Sequence, residues 1–212
     1  EPPTTQRTLD ERVIALETNS QSKVYDATPL TNLGWDYITG NDGFIGTQGF
    51  DAAYATGTIT NAGFVMNGFF YEYKNDTLTE NYTVIVTEGK LTVVARTVGV
   101  ALDAAEKNSG DADPAFTFQY VAIPGLYDIL PGTGVTMNLI RTDALAVTGE
   151  DIGVHTGVLS IDIAFADATA ASNYLIFPLT ADFTIHPQVA YNLNTVDAVT
   201  GFPATEWFDY LT

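Results

Sequence analysis

Cysteine is absent from the chain, which removes disulfides, thiolate metal sites and cysteine nucleophiles together. Histidine is almost absent: His155 and His186 are the only two, too few for a multi-histidine zinc centre. Basic residues are scarce, with 8 Lys+Arg against 26 Asp+Glu and a formal net charge of −18. A surface this acidic repels phosphate backbones and anionic headgroups, so nucleic acid and membrane surfaces drop out as expected partners. No apolar run approaches the roughly 20 residues of a spanning helix, and no basic-then-apolar leader opens the chain. The expectation is a soluble chain with no membrane insertion.

What is present suits a packed β protein. The 212 residues are 46% hydrophobic and 12% aromatic, enough for one large domain or two modules of about 100 residues each. From Lys23 onward, short alternating runs are punctuated by Gly, Asn and Asp, the grammar of strands and turns. Tyr82, Val84 and Val86 alternate with Thr83 and Ile85, and Glu88-Gly89 then reads as a two-residue hairpin turn before Leu91, Val93 and Ala95. Leu159, Ile161, Ile163 and Phe165 alternate with smaller or polar residues in the clearest half-buried strand. No segment after Thr18 holds a helical apolar period over three turns. The chain therefore reads as all-β.

An internal repeat organises these strands. Asn81-Tyr82-Thr83-Val84 returns 92 residues later as Asn173-Tyr174-Leu175-Ile176, and Leu91-Thr92-Val93 falls on Phe183-Thr184-Ile185 at the same offset. Upstream, Lys23…Asp26-Ala27-Thr28-Pro29 is echoed by Lys107…Asp111-Ala112-Asp113-Pro114. The expected organisation is a lead segment, 1–21, with Leu9–Leu16 as helical turns or a first strand, then β modules at 22–95 and 96–186. Residues 187–212 form a tail or open a further repeat. The joint near Ala95-Arg96 has no flexible linker composition, so the modules are expected to abut.

Several of these motifs resemble a known family. Lys23-Val24-Tyr25-Asp26-Ala27-Thr28-Pro29-Leu30-Thr31 in the first module resembles the MBG/YDG-type tandem repeats of bacterial cell-surface, adhesin-like proteins. So do Gly110-Asp111-Ala112-Asp113-Pro114-Ala115-Phe116, Gly149-Glu150-Asp151-Ile152-Gly153 and Ala181-Asp182-Phe183-Thr184-Ile185 in the second. Ala27 stands where that family usually has glycine, and Asp143 to Thr148 reads as an insertion. The resemblance implies compact modules that are β-grasp-like, while the strand count alone equally allows an immunoglobulin-like sandwich. It also implies a non-catalytic stalk, spacer or adhesive surface, secreted or displayed on a bacterial cell. The expected partners are a host or matrix receptor, a glycan, and neighbouring repeats of the same chain.

Each chemistry-bearing residue also has a purely structural explanation. Twenty-six acids supply carboxylate pairs by chance, so a glycosidase pair is not expected from their number. Neither histidine sits in a G-x-S-x-G context, and no catalytic residue is assigned. No cofactor is expected apart from a weak calcium site, for which Asp111, Asp113, Glu150 and Asp151 are the candidates because hard cations take six to eight oxygens. Lys23 with Asn81, and Lys107 with Asn173, occupy matching positions and are candidates for a Lys–Asn amide crosslink, although an exposed lysine beside a turn explains them more simply. Trp35, Tyr37 and Trp207 are candidate ligand-facing aromatics. They carry the rival reading, a carbohydrate-binding module or fragment of a glycan-active enzyme.

Overall fold

The computed structural model describes residues 10–188. Its first strands are β1 (Arg12–Thr18), β2 (Gln21–Val24), β3 (Leu30–Thr31), β4 (Trp35–Tyr37) and β5 (Phe50–Ala55). Then come β6 (Thr58–Ile59), β7 (Gly63–Asn67), β8 (Phe69–Tyr73), β9 (Tyr82–Thr87) and β10 (Gly89–Val94). The chain continues through β11 (Arg96–Leu102), β12 (Ala105–Asn108), β13 (Phe118–Tyr120), β14 (Val135–Arg141), β15 (Gly153–Phe165), β16 (Tyr174–Leu179) and β17 (Ala181–His186). Helix among the described residues is one 3-10 turn, Thr79–Asn81, and the five-residue α1, Ala168–Ser172. The protein is all-β, as its alternation predicts. A β-grasp fold needs a helix laid across its sheet, so this helix-poor chain sits closer to the sandwich class.

Two compact units divide the described chain. The first runs to Ala101 and adds Gln119–Asn138 and Asp162–Leu179. It holds the sheets β4-β1-β9, β2-β10-β7 and β13-β11-β16, and the ribbons β3-β6 and β5-β8. Ile14, Leu16, Leu91, Val98 and Val100 are fully buried there. The second comprises Leu102–Phe118, Leu139–Ile161 and the described residues from Thr180 to 188. Its strands are β12, β17, β15 as far as Ile161 and the last residues of β14 from Leu139, with Phe183, Leu159 and Ile185 in its core.

Strand pairing repeats along the chain. β1 runs parallel to β9 through six residue pairs, from Arg12↔Tyr82 to Glu17↔Thr87, and β2 runs parallel to β10 through four, including Lys23↔Val93. β11 pairs with β16 through six, from Arg96↔Tyr174 to Ala101↔Leu179, and β12 with β17 through four, including Lys107↔Ile185. The backbone N–H of Tyr25 donates to Val94 O, and that of Ser109 to His186 O, both at 2.8 Å. Opposite Val93 and Ile185 stand Gly63 and Gly153, each at a φ near +141° that glycine adopts without strain.

Two expectations are corrected. Residues from Arg12 are not a lead: β1 is the central strand of the first sheet, so the first repeat opens there and not at residue 22. Glu88-Gly89 is not a hairpin turn. It is the point where one extended segment leaves the sheet of β1 and enters the sheet of β2. A side chain at Gly89 would place its Cβ 2.2 Å from Thr18 O, so the crossing strands touch where only glycine fits.

Candidate functional site

Two of the acidic residues proposed for calcium, Asp113 and Glu150, gather around cations. Lys107 Nζ lies 2.9 Å from Asp113 Oδ1 and 2.6 Å from Glu150 Oε2. Arg141 Nε lies 3.2 Å from Asp113 and 3.4 Å from Asp143, and its Nη2 donates to Glu150. The side chains of Lys107 and Arg141 are only 5% and 2% exposed, and both stand over the buried ring of Phe183, Arg141 at 4.6 Å. Among the described residues no group of three or more His, Asp or Glu side chains converges as a metal site. Asp111 accepts from Asn108 Nδ2, and Asp151 uses its backbone carbonyl to meet His155. Asp113 and Glu150 thus meet around the buried ammonium and guanidinium groups, whose charge they neutralise.

The same geometry shifts the titration of Lys107, Glu150 and His155. Donating hydrogen bonds to Glu150, then to Asp113, raises the Lys107 pKa, and accepting from Lys107 lowers that of Glu150. His155 Nδ1 lies 2.6 Å from Asp143 Oδ2 and its Nε2 2.8 Å from Asp151 O. These bonds, the one to the Asp151 carbonyl first, raise its pKa above the ordinary 6.5. His186 is exposed and bonds Glu106 at 3.0 Å.

The crosslink candidates are not brought into bonding arrangements. The Lys107 amine is buried, against the expectation of an exposed lysine, and an ammonium held this firmly is no nucleophile. Lys23 donates to Asp26, Thr28 Oγ1 and the Thr28 carbonyl. Bonding to Lys23, then Thr28, lowers the Asp26 pKa to about 2. Asn81 ends the 3-10 turn on the exposed surface. Asn173 is 3% exposed and its amide is committed, accepting from Ala62 N at 2.7 Å and donating to Asn61 Oδ1 at 3.0 Å.

Two of the aromatics do meet. Trp35 and Tyr37 on β4 stand edge to face at 5.1 Å, and Trp35 also packs edge-on against Phe50 and Phe69 of the β5-β8 ribbon. They border an open cleft of about 510 Å³ whose other walls include Phe44, Gln48, Phe50 and Lys74. Trp207 lies outside the described residues. The loop after β4 that supplies Phe44 and Gln48 is pinned at several points. Asp42 N donates to Val13 O, Asp42 Oδ2 accepts from Val13 N, and Ile45 N donates to the Tyr82 hydroxyl. Thr77 closes the loop's far end, accepting from Gly49 N and donating to Gly49 O, each at 3.1 Å. Sequence reading found the two β4 aromatics but missed Gln48 and Lys74, which carry no motif.

Neither a family model, nor a curated protein, nor a solved structure matches the chain.

Proposed function

We propose that this chain is a non-catalytic, tension-resisting spacer of a bacterial extracellular surface protein. The observation that carries the reading is the pairing of the opening and closing strands of each repeat, six parallel pairs followed by four, in both halves. When parallel strands open and close a module, tension on the chain pulls them in opposite directions along their own axes. The bridging hydrogen bonds are then loaded together in shear, so they do not peel one after another. A module built this way unfolds only after many bonds fail at once, which suits a stalk under load. The resemblance of the motifs around Asp26 and Asp113 to repeats of surface proteins supports the extracellular setting. The buried cations of the second half point the same way, because Lys107 and Arg141 are spent on neutralising carboxylates.

Single-molecule stretching of the chain held at both ends tests this reading. Two separate high-force events are expected, each releasing about 3.5 Å of chain per unfolded residue. Smooth extension without force peaks would refute it.

A further inference from the structure

The aromatic cleft beside β4 has features that the fold does not need. Phe50, Phe69, Tyr71 and Tyr73 line one face of the β5-β8 ribbon, and all four remain only half-buried. The corresponding ribbon of the second repeat, β14 with the later part of β15, is aliphatic where it enters the core: Leu159 is 0% exposed and Ile161 7%. The same strand pair thus folds on aliphatic residues. The aromatic version leaves large π-faces in contact with water, and Tyr37 at the cleft edge is 47% exposed.

Asn41 in the cleft is committed to Ile38 O and Gly43 N, but two other polar side chains there are not. Gln48 lines it, and its Oε1 is buried with no hydrogen-bond partner, a costly state for an acceptor. Lys74 reaches only Thr47 O, at 3.5 Å, and among the described residues it makes no ion pair in a chain of net charge −18. The walls are pre-formed, since Trp35 Nε1 is anchored on Ala53 O at 3.0 Å and the Phe44–Gln48 loop is pinned as described above.

We propose that this cleft is a binding site for a neutral pyranose unit of a glycan. One face of a pyranose presents C–H bonds, which pack on the electron-rich faces of Trp35 and Tyr37. Its equatorial rim presents hydroxyls, which donate to the Gln48 carbonyl, after rotation of the amide, and accept from the Lys74 ammonium. A purely apolar ligand would strand both polar groups. A proline-rich peptide has too few N–H donors to meet the Gln48 acceptor. An anionic polysaccharide would meet the repulsion of the whole acidic surface. The volume of about 510 Å³ falls in the range of small-molecule sites and admits one to two sugar rings.

The test uses the full chain carrying Trp207→Phe, so that Trp35 is the sole tryptophan reporter. The probes are neutral hexasaccharides of glucose, mannose, xylose, galactose and N-acetylglucosamine, with decaproline and hexagalacturonate as competitors of other chemistry. At least one neutral hexasaccharide should shift Trp35 emission with saturation below about 10 mM. Tyr37→Ala and Lys74→Met, at an unchanged melting temperature, should each weaken that binding at least about tenfold. Silence of every neutral sugar overturns the proposal. So does binding that survives both substitutions, or a Trp35 response to decaproline or hexagalacturonate alone. Because the readout is equilibrium binding, its failure leaves the mechanical reading untouched.

Discussion

Tyr82 and Tyr174 hold the same post in the two repeats. Each opens the strand that runs parallel to the first strand of its repeat, stands opposite an arginine, and is 6% exposed. The Tyr82 hydroxyl accepts from Ile45 N at 3.1 Å and the Tyr174 hydroxyl from Leu130 N at 3.2 Å. In each case the ring fills core while the phenol oxygen ties down a long loop, the one after β4 for Tyr82 and the one after β13 for Tyr174. Tyr174 makes one bond more, to Thr133 Oγ1 at 2.6 Å.

Tyr82→Phe is therefore expected to cost about 1 kcal/mol and Tyr174→Phe about 2 kcal/mol, since the second strands more partners. Urea denaturation of the two variants checks the order. Equal losses, or a larger loss at Tyr82, would contradict the assignment.

Ala27 is the only described non-glycine residue at positive φ, +64°, in the turn where Asp26 receives Lys23 and Thr28. An L-residue pays for this left-handed backbone, whereas glycine does not. Ala27→Gly should raise stability by roughly 0.5–1 kcal/mol, the steric relief outweighing the extra freedom of the unfolded chain. A melting temperature that falls would contradict the turn geometry.

Stability should peak in weakly acidic solution. His155 titrates above its ordinary 6.5 in the folded chain, so its contribution is complete below that value and is lost as pH rises through the raised one. Glu150 and Asp26 titrate below their ordinary 4.5 and 3.8, so their contributions hold above those values and fade as pH falls through the lowered ones. Urea midpoints should therefore be highest between about pH 4.5 and 6.5. His155→Gln should flatten the decline on the alkaline side and leave the acid side unchanged. An unaltered alkaline limb would remove His155 from the cluster's electrostatics.

The residues that were legible in the sequence are those whose role is local. Alternation in 159–165 marked a strand, and Phe69, Tyr71 and Tyr73 fell on one face of β8 as their spacing predicts. The 92-residue offset put Tyr82 with Tyr174 and Val93 with Ile185, all four buried. Pairing partners were not legible, because alternation identifies a strand without naming its neighbour. Glu88-Gly89 has the composition of a turn but serves a crossing between sheets, a distinction made only by Thr18 and Asn19 some 70 residues away. Asn67 shows the same limit. It is fully buried, accepts from Gly57 N and donates to the carbonyls of Asn19 and Asn32, yet nothing near it in sequence marks it as a hub. The ion cluster was half legible: Asp113 and Glu150 were picked as acids, but their partner Arg141 lies on a strand whose pattern reads simply as core.

The central claim is that parallel opening and closing strands carry tension in shear. Because the chain has no cysteine, handles can be attached at chosen pairs of introduced thiols, and the direction of pull can be varied on one protein. Pulling between the two ends of the chain should require a several-fold higher force to unfold the first repeat than pulling between thiols at Asp26→Cys and Val94→Cys. Those positions lie at the same end of β2 and β10, so that pull peels the parallel bonds singly. Equal forces in the two directions, or a weaker repeat when the ends are pulled, would contradict the account.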